Sequence, residues 1–380
     1  MKRIAPVLAC LVVGVALFAP ARTQASDARV EALAIPGFYI DDEEARLVFP
    51  TVVARVSNMV QAGLGSSGST EGDNFFGVIA SGNRNGYGVF QVYMRGTSPF
   101  LQSLNSTYGD ATGPNIDIPS QQFDVGWAKQ FGSTAVGVRF EHARSSREVG
   151  ADESSPIVNP GQNNWNTSAL HLGVKFDTGE RNFLEIGGEL RDLSYKNSFL
   201  GIEITDDAGL SYRASARYWS RLNEKTDFVP AVSISSVDAT PDGTDEDRTY
   251  SSIHAGGAFL FDVNDDNLLS LGAAFNYRKD DANDISSTLV PTLFGSLEWD
   301  LKSWLTGRVG AQQAMRMISE GSDTDRLDSD FSYGLGLGFH FNNFDLDTVL
   351  NEQLPFSSGY LISGQATSDP FLRITGVYHF

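Results

Sequence analysis

From about residue 57 to the end of the chain, apolar and polar side chains alternate one for one in segments of about 9 to 14 residues. Leu269, Leu271, Ala273, Phe275 and Tyr277 are separated by Ser270, Gly272, Ala274, Asn276 and Arg278. Phe331, Tyr333, Leu335, Leu337, Phe339 and Phe341 are separated by Ser332, Gly334, Gly336, Gly338 and His340, and Leu210, Tyr212, Ala214, Ala216 and Tyr218 by Ser211, Arg213, Ser215 and Arg217. A period of two sends alternate residues to opposite faces of an extended strand, so each strand has one greasy and one polar face. No helical stripe competes with this pattern, and no stretch after the first 25 residues reaches the ~18 apolar residues of a membrane-crossing helix.

The connections alternate as well. Gly132-Ser133, Asp177 to Glu180, Asn223 to Lys225, Asn264 to Asn267, Leu301 to Ser303 and Asn342-Asn343 are tight. The intervening 96–120, 146–164, 195–206, 239–248, 279–286, 319–329 and 354–369 are longer and rich in Gly, Asp and Ser. Short turns at one end and long loops at the other distinguish an outer-membrane barrel from a soluble sandwich. The predicted fold class is therefore all-β, a transmembrane antiparallel up-and-down β-barrel over 57–380. It has about 16 strands, or about 14 if 57–64 and its partner lie outside the wall.

Residues 1–25 begin with Lys2 and Arg3, continue through the apolar run Ala5 to Ala19, and end in Thr23-Gln24-Ala25. This tripartite pattern predicts a cleaved secretory signal peptide. Residues 26–56 form an N-terminal periplasmic or plug segment. The only cysteine, Cys10, lies in the leader, so a disulfide scaffold is excluded, and no Cys/His cluster suggests a zinc site. With 47 acidic against 28 basic residues and a net charge of −19, nucleic acid is a poor partner. The near-neutral mean hydropathy of −0.18 suits greasy and polar faces averaged together.

Two features favour lipid. Trp127, Trp219, Trp299 and Trp304 fall near short-turn strand ends and Trp165 near a long-loop end, the expected places of interfacial aromatic girdles. At the C-terminus, Leu372, Ile374, Gly376, Tyr378 and Phe380 occupy alternate positions. This run resembles the terminal signal read by the outer-membrane assembly machinery, and residues 57–380 as a whole resemble Gram-negative outer-membrane barrels of the porin and transporter type. The resemblance implies an outer-membrane location, with lipid, lipopolysaccharide and the assembly machinery as partners. The segment Gly37 to Ala45, followed by Phe49-Pro50, resembles the pre-barrel plug of long-chain fatty acid transporter-like barrels. Here Phe49-Pro50-Thr51 stands where that family has Asn-Pro-Ala, and no substrate residue carries over.

With the apolar set facing lipid, Arg139, Glu141, Lys175, Glu185, Glu189, Arg191, Arg213, Arg217, Arg278, Glu298, Arg308, Arg316, His340 and Arg373 line the lumen. Acids concentrate on 181–192 and arginines on 207–220 and 303–317. Opposed walls of this kind would set a transverse field across a water-filled pore. The same residues could instead be ion pairs filling a plugged barrel. Inward Gly334, Gly336 and Gly338 would admit a plug closely or relieve strand curvature. Loop acids at Asp242, Asp245, Glu246 and Asp247, at Asp280, Asp281 and Asp284, and at Asp323, Asp325, Asp328 and Asp330 read as solvated; calcium is the other reading. The five histidines sit on separate strands and no hydrolase motif is present, so no enzyme, cofactor or metal is expected. The expected function is passive passage of small polar solutes. The alternatives are a plugged, non-conducting platform acting through long loops, and a transporter of hydrophobic compounds. Residues 26–56 discriminate, because a plug must complement the lumen, and Asp41, Asp42, Glu43 and Glu44 are available to its arginines.

Overall fold

The structure, a computed structural model, describes residues 27–56, 58–65, 74–81, 86–96, 98, 100, 121–149, 161–199, 202–207, 210–238, 249–264, 267–281, 285–320, 323–350 and 371–380. The signal peptide predicted at 1–25 lies outside these residues, as do 239–248 and 351–370. A short helix α1 (Asp27–Leu33) and three 3-10 turns, Gly37–Tyr39, Glu43–Leu47 and Pro50–Arg55, precede the strands.

The strands are β1 (Met59–Gly65), β2 (Phe75–Ser81), β3 (Val89–Arg95), β4 (Gln121–Phe131), β5 (Thr134–Val149) and β6 (Gly161–Gly179). They continue as β7 (Asn182–Phe199), β8 (Ile202–Asp207), β9 (Ser211–Asn223), β10 (Thr226–Asp238), β11 (Thr249–Asn264) and β12 (Asn267–Asp280). The last five are β13 (Ile285–Lys302), β14 (Leu305–Glu320), β15 (Asp323–Phe341), β16 (Phe344–Leu350) and β17 (Phe371–His379). Each pairs antiparallel with its neighbours, and β1 pairs with both β2 and β17, so the sheet closes on itself. β8 pairs with the far half of β7 and β9 with the near half, making the two successive parts of one wall position. The barrel therefore has 16 strands, with the 57–64 strand in the wall. Closure leaves no unpaired edge, the condition for backbone to cross lipid.

The period of two becomes inside and outside. On β6, Leu170, Leu172 and Phe176 are exposed while Ala169, His171 and Lys175 are buried. On β12, Leu271 and Phe275 are exposed while Ser270 and Ala274 are buried. Apolar side chains turned outward around the whole wall form the band that hydrocarbon covers in a membrane barrel. The tight turns are placed as predicted, with Gly132 at φ 59 and Asn342 at φ 53 taking the left-handed conformation that their hairpins need.

The long-loop side differs from the sequence expectation. Much of 146–164, 195–206, 279–286 and 319–329 is strand: β5 runs to Val149 and β6 starts at Gly161, β7 reaches Phe199 against Ile202, and β14 reaches Glu320 against Asp323. The physical reason is that a strand projecting past the lipid band is wet on both faces. It therefore loses the apolar alternation that marks its buried half while keeping its ladder bonds.

Candidate functional site: the plugged lumen

Residues 27–56 lie inside the barrel. Ala28, Ala32, Tyr39, Arg46, Phe49 and Val53 are essentially inaccessible, which makes the segment a plug rather than a tail. Two glycine seats admit its backbone. Gly137, Gly173 and Gly187 stand side by side across β5, β6 and β7. A Cβ on Gly137 would meet Pro50 and one on Gly187 the carbonyl of Val48. On the other side of the lumen Gly310 and Gly334 are paired across β14 and β15. A Cβ there would collide with the carbonyls of Leu33 and of Glu31 and Ala32, and one on Gly336 with the Ala32 methyl. Gly338 lies against the Arg308–Asp347 pair instead of the plug.

Charge fixes the plug between these seats. Arg217 donates to Glu185 at 2.8 Å and to the carbonyls of Phe38 and Ile40 at 3.1 and 2.9 Å. Glu185, fully buried, also accepts from Thr51 at 2.5 Å and Arg55 at 3.0 Å, and Arg55 reaches back to Asp41 at 2.5 Å. Arg139 donates to the Leu47 carbonyl at 3.0 Å and to Asp124 at 2.6 Å. At α1, Arg29 pairs with Glu298 at 2.7 Å, which also takes Arg308 at 2.6 Å; Arg308 continues to Asp347 at 2.6 Å. Arg95 pairs with Asp27 at 3.2 Å and Glu44 at 3.5 Å, and Arg373 with Glu31 at 3.2 Å. Arg46 stacks over Tyr93 at 4.0 Å. Two of the four acids singled out in the plug meet wall arginines, Asp41 at Arg217 (3.5 Å) and Glu44 at Arg95. Asp42 instead caps its own turn by accepting from the Ala45 amide, and Glu43 accepts from Gln61 at 3.4 Å. Burial pushes the Asp42 carboxyl up to about 6. Burial and the neighbouring Asp42 charge raise Glu43 well above the usual carboxylate range.

The acids of β7 and the arginines of β9, expected on opposed walls, are instead neighbours. Glu185 lies directly opposite Arg217, and Glu189 opposite Arg213, because β7 and β9 are neighbours in the wall. Arg191 neutralises Glu141 at 2.7 Å and Glu189 at 2.6 Å, with His171 packed between these groups and Arg139. Lys175 pairs with Asp177 at 2.5 Å, and Arg316 with Asp330. Arg278 faces inward without a hydrogen bond or ion pair among the described residues, and its side chain is exposed.

Two of the five tryptophans correct the girdle expectation. Trp219 is buried inside, stacked on Phe183 at 5.7 Å, and Trp165 is buried in the same inward set as Thr167 and His171. Both share the parity of the lumen residues on their strands. Trp127 and Trp299 are on the outward set near the short turns, and Trp304 is exposed in the turn before β14; Trp127 donates to the Tyr87 carbonyl at 2.6 Å and Trp304 stacks on Phe339. At the C-terminus Ile374, Gly376, Tyr378 and Phe380 take the outward set, Tyr378 and Phe380 exposed, and the Phe380 amide donates to the Asn58 carbonyl. The Leu372 side chain lies outside the described residues, as do those of most of the loop acids.

Sequence reasoning treated the histidines as isolated, yet His340 and His379 share Asp345 at 2.9 and 3.1 Å, tying β15, β16 and β17 together near the closing seam. The strand pattern does not single out the apolar stretch of wall that packs on the plug. The inward faces of β10 to β13 carry Val229, Ala231, Ala258, Leu260, Ala274 and Phe294, packed against Leu33, Ile35, Tyr39 and Ile40. Two cavities lie along this sector. One of about 780 Å³ reaches the short-turn end between Tyr39, Ile40, Arg55, Phe183, Trp219 and His340. The other, of about 580 Å³, lies on the long-loop side and is lined by Phe38, Arg213, Ser235, His254, Asn276 and Arg278. The adjacent residues Phe38 and Tyr39 therefore face opposite cavities. Phe38 stacks on His254 at 5.2 Å, and Tyr39 bonds His254 Nε2 at 2.8 Å while stacking on Phe294 at 5.1 Å.

No protein-family model matches the sequence, and no curated protein matches it. Among solved structures, the chain is similar to CdiB from Escherichia coli, at 11% identity and a TM-score of 0.51, over 86% of this chain and 63% of that one. It is also similar to the FrpB iron transporter of Neisseria meningitidis (F5-1 variant), at 11% identity and a TM-score of 0.50, over 77% of this chain and 54% of that one. The chain thus spans about three-fifths and about half the length of these two proteins. At such identities the likeness is one of fold, that of a Gram-negative outer-membrane β-barrel.

Proposed function

We propose that the chain is a closed outer-membrane channel for small polar solutes, shut by its own N-terminal segment at a constriction formed by Phe38 and Tyr39. The observation that carries this reading is the pair of cavities, about 780 and 580 Å³, that approach those two residues from opposite ends of the lumen. In this reading the short turns face the periplasm and the long-loop cavity faces outside, the usual orientation of such barrels. The leader exports the chain and the last strand directs its assembly. Charged and hydroxyl-bearing inner surfaces support polar rather than greasy cargo, because dehydrating them for an apolar solute is costly. The buried ion-pair networks serve to hold the plug, not to perform catalysis.

Planar-bilayer recording tests the reading. The intact chain should be silent or open briefly. A variant lacking 27–56 that still shows the heat-modifiable mobility of a folded barrel should give large, steady conductance. Silence in both folded proteins would overturn the channel.

A further inference from the structure

The long-loop cavity contains an ordered array of polar side chains. Cross-strand register places Arg213, Ser235, Ser252 and Arg278 side by side on β9, β10, β11 and β12. Three strand spacings put the two arginine backbones about 14 Å apart. Immediately below, toward the plug, runs a second row of Ser233, His254 and Asn276. The serine hydroxyls of the upper row touch each other at 2.7 Å, and His254 Nδ1 bonds Asn276 Oδ1 at 2.6 Å.

The arginines of this array differ from others that line the lumen. Arg139, Arg191, Arg217 and Arg308 each have a carboxylate within 2.8 Å. Among the described residues Arg278 has no such partner, and Arg213 pairs only with Glu189, at 3.5 Å, with its side chain 40% exposed. A guanidinium left open beside water is a ready bidentate donor to a carboxylate or phosphate. Between the arginines the wall offers hydroxyls that both donate and accept, which suits a polyol. The stacked Phe38 and His254 rings supply an apolar base, and the 580 Å³ volume falls in the range of ~300–1,000 Å³ typical of small-molecule sites.

We propose that this cavity binds a small hydroxylated organic anion, its acidic group held by Arg278 and Arg213 and its hydroxyls by the serine rows. The site takes its transport sense from the channel reading above, but occupancy is measurable in the closed protein. Isothermal titration calorimetry of the full chain in detergent should show saturable binding of gluconate or glucose 6-phosphate, with glucose about ten-fold weaker or worse, one charge-assisted contact being worth roughly that factor. Tighter gluconate would identify a carboxylate as the natural head group, and tighter glucose 6-phosphate a phosphate. Arg278→Gln and Arg213→Gln should each weaken the anion by about ten-fold or more at unchanged heat-modifiable mobility. Absence of saturable binding for both anions, equal binding of glucose, or affinity indifferent to Arg278→Gln would overturn the site. Anion binding without conductance in the plug-deleted barrel would sink the channel alone; conductance without anion binding would sink this site alone.

Discussion

The two sectors of the lumen treat the plug differently. Across β3 to β9, and from Glu298 of β13 round to β17, the wall grips it through glycine seats and buried ion pairs, as at Glu185–Arg217 and Arg29–Glu298. Across β10 to β12 and at Phe294 of β13 the wall in contact with the plug is nearly neutral and, among the described residues, touches it through apolar packing and the Tyr39–His254 bond. Position is set on the charged side, and open space is left on the neutral side. A buried charge stripped of its partner is costly, so the gripping sector resists rearrangement. A smooth neutral wall has no such penalty and can border a solute path.

The contrast is sharpest in paired substitutions. Arg217→Met leaves Glu185 with only Thr51 and Arg55 and releases the carbonyls of Phe38 and Ile40. It should destabilise the plugged state by about 3–5 kcal/mol, read as a fall in the thermal midpoint of heat-modifiable mobility. Tyr39→Phe, on the neutral side, removes one hydrogen bond and should cost only about 1 kcal/mol. Equal losses would erase the distinction between the sectors.

A smaller effect concerns acidity. Burial raises Asp42 from an ordinary 3.8 to about 6 when the plug is docked. A raised carboxyl favours the docked, protonated form; this contribution is complete below about pH 4 and is lost as pH rises through about 6. Docking should therefore tighten between pH 6.5 and 4.5, seen as slower proteolysis of 27–56 in the folded barrel. Asp42→Asn should reduce the dependence, leaving the part that the raised Glu43 carboxyl supplies; a dependence of opposite sign would contradict the assignment.

Much of this was legible in the sequence. The period of two located nearly every wall strand, and the parity of Arg217 and Lys175 placed them inside. The same parity, followed two residues on to Trp219 and ten back to Trp165, also puts both rings in the lumen; position near a strand end was the weaker guide. Neighbouring strands in an up-and-down barrel lie side by side, so an acidic β7 next to a basic β9 makes a ladder of ion pairs rather than opposed walls. The projecting halves of β5 to β7, β14 and β15 were illegible because both their faces are polar. The plug's path was illegible because it depends on contacts between residues such as Thr51 and Glu185, 134 positions apart.

Phe38 and Tyr39 each line one of the two cavities, while the charged sector holds the plug in place. Bilayer conductance of the Phe38→Ala/Tyr39→Ala double variant tests the proposed constriction most directly, because the ion pairs of Glu185, Arg217 and Arg29 are untouched. Steady conductance is expected, smaller than that of the barrel lacking 27–56. A folded double variant that stays silent while the plug-deleted barrel conducts would contradict it.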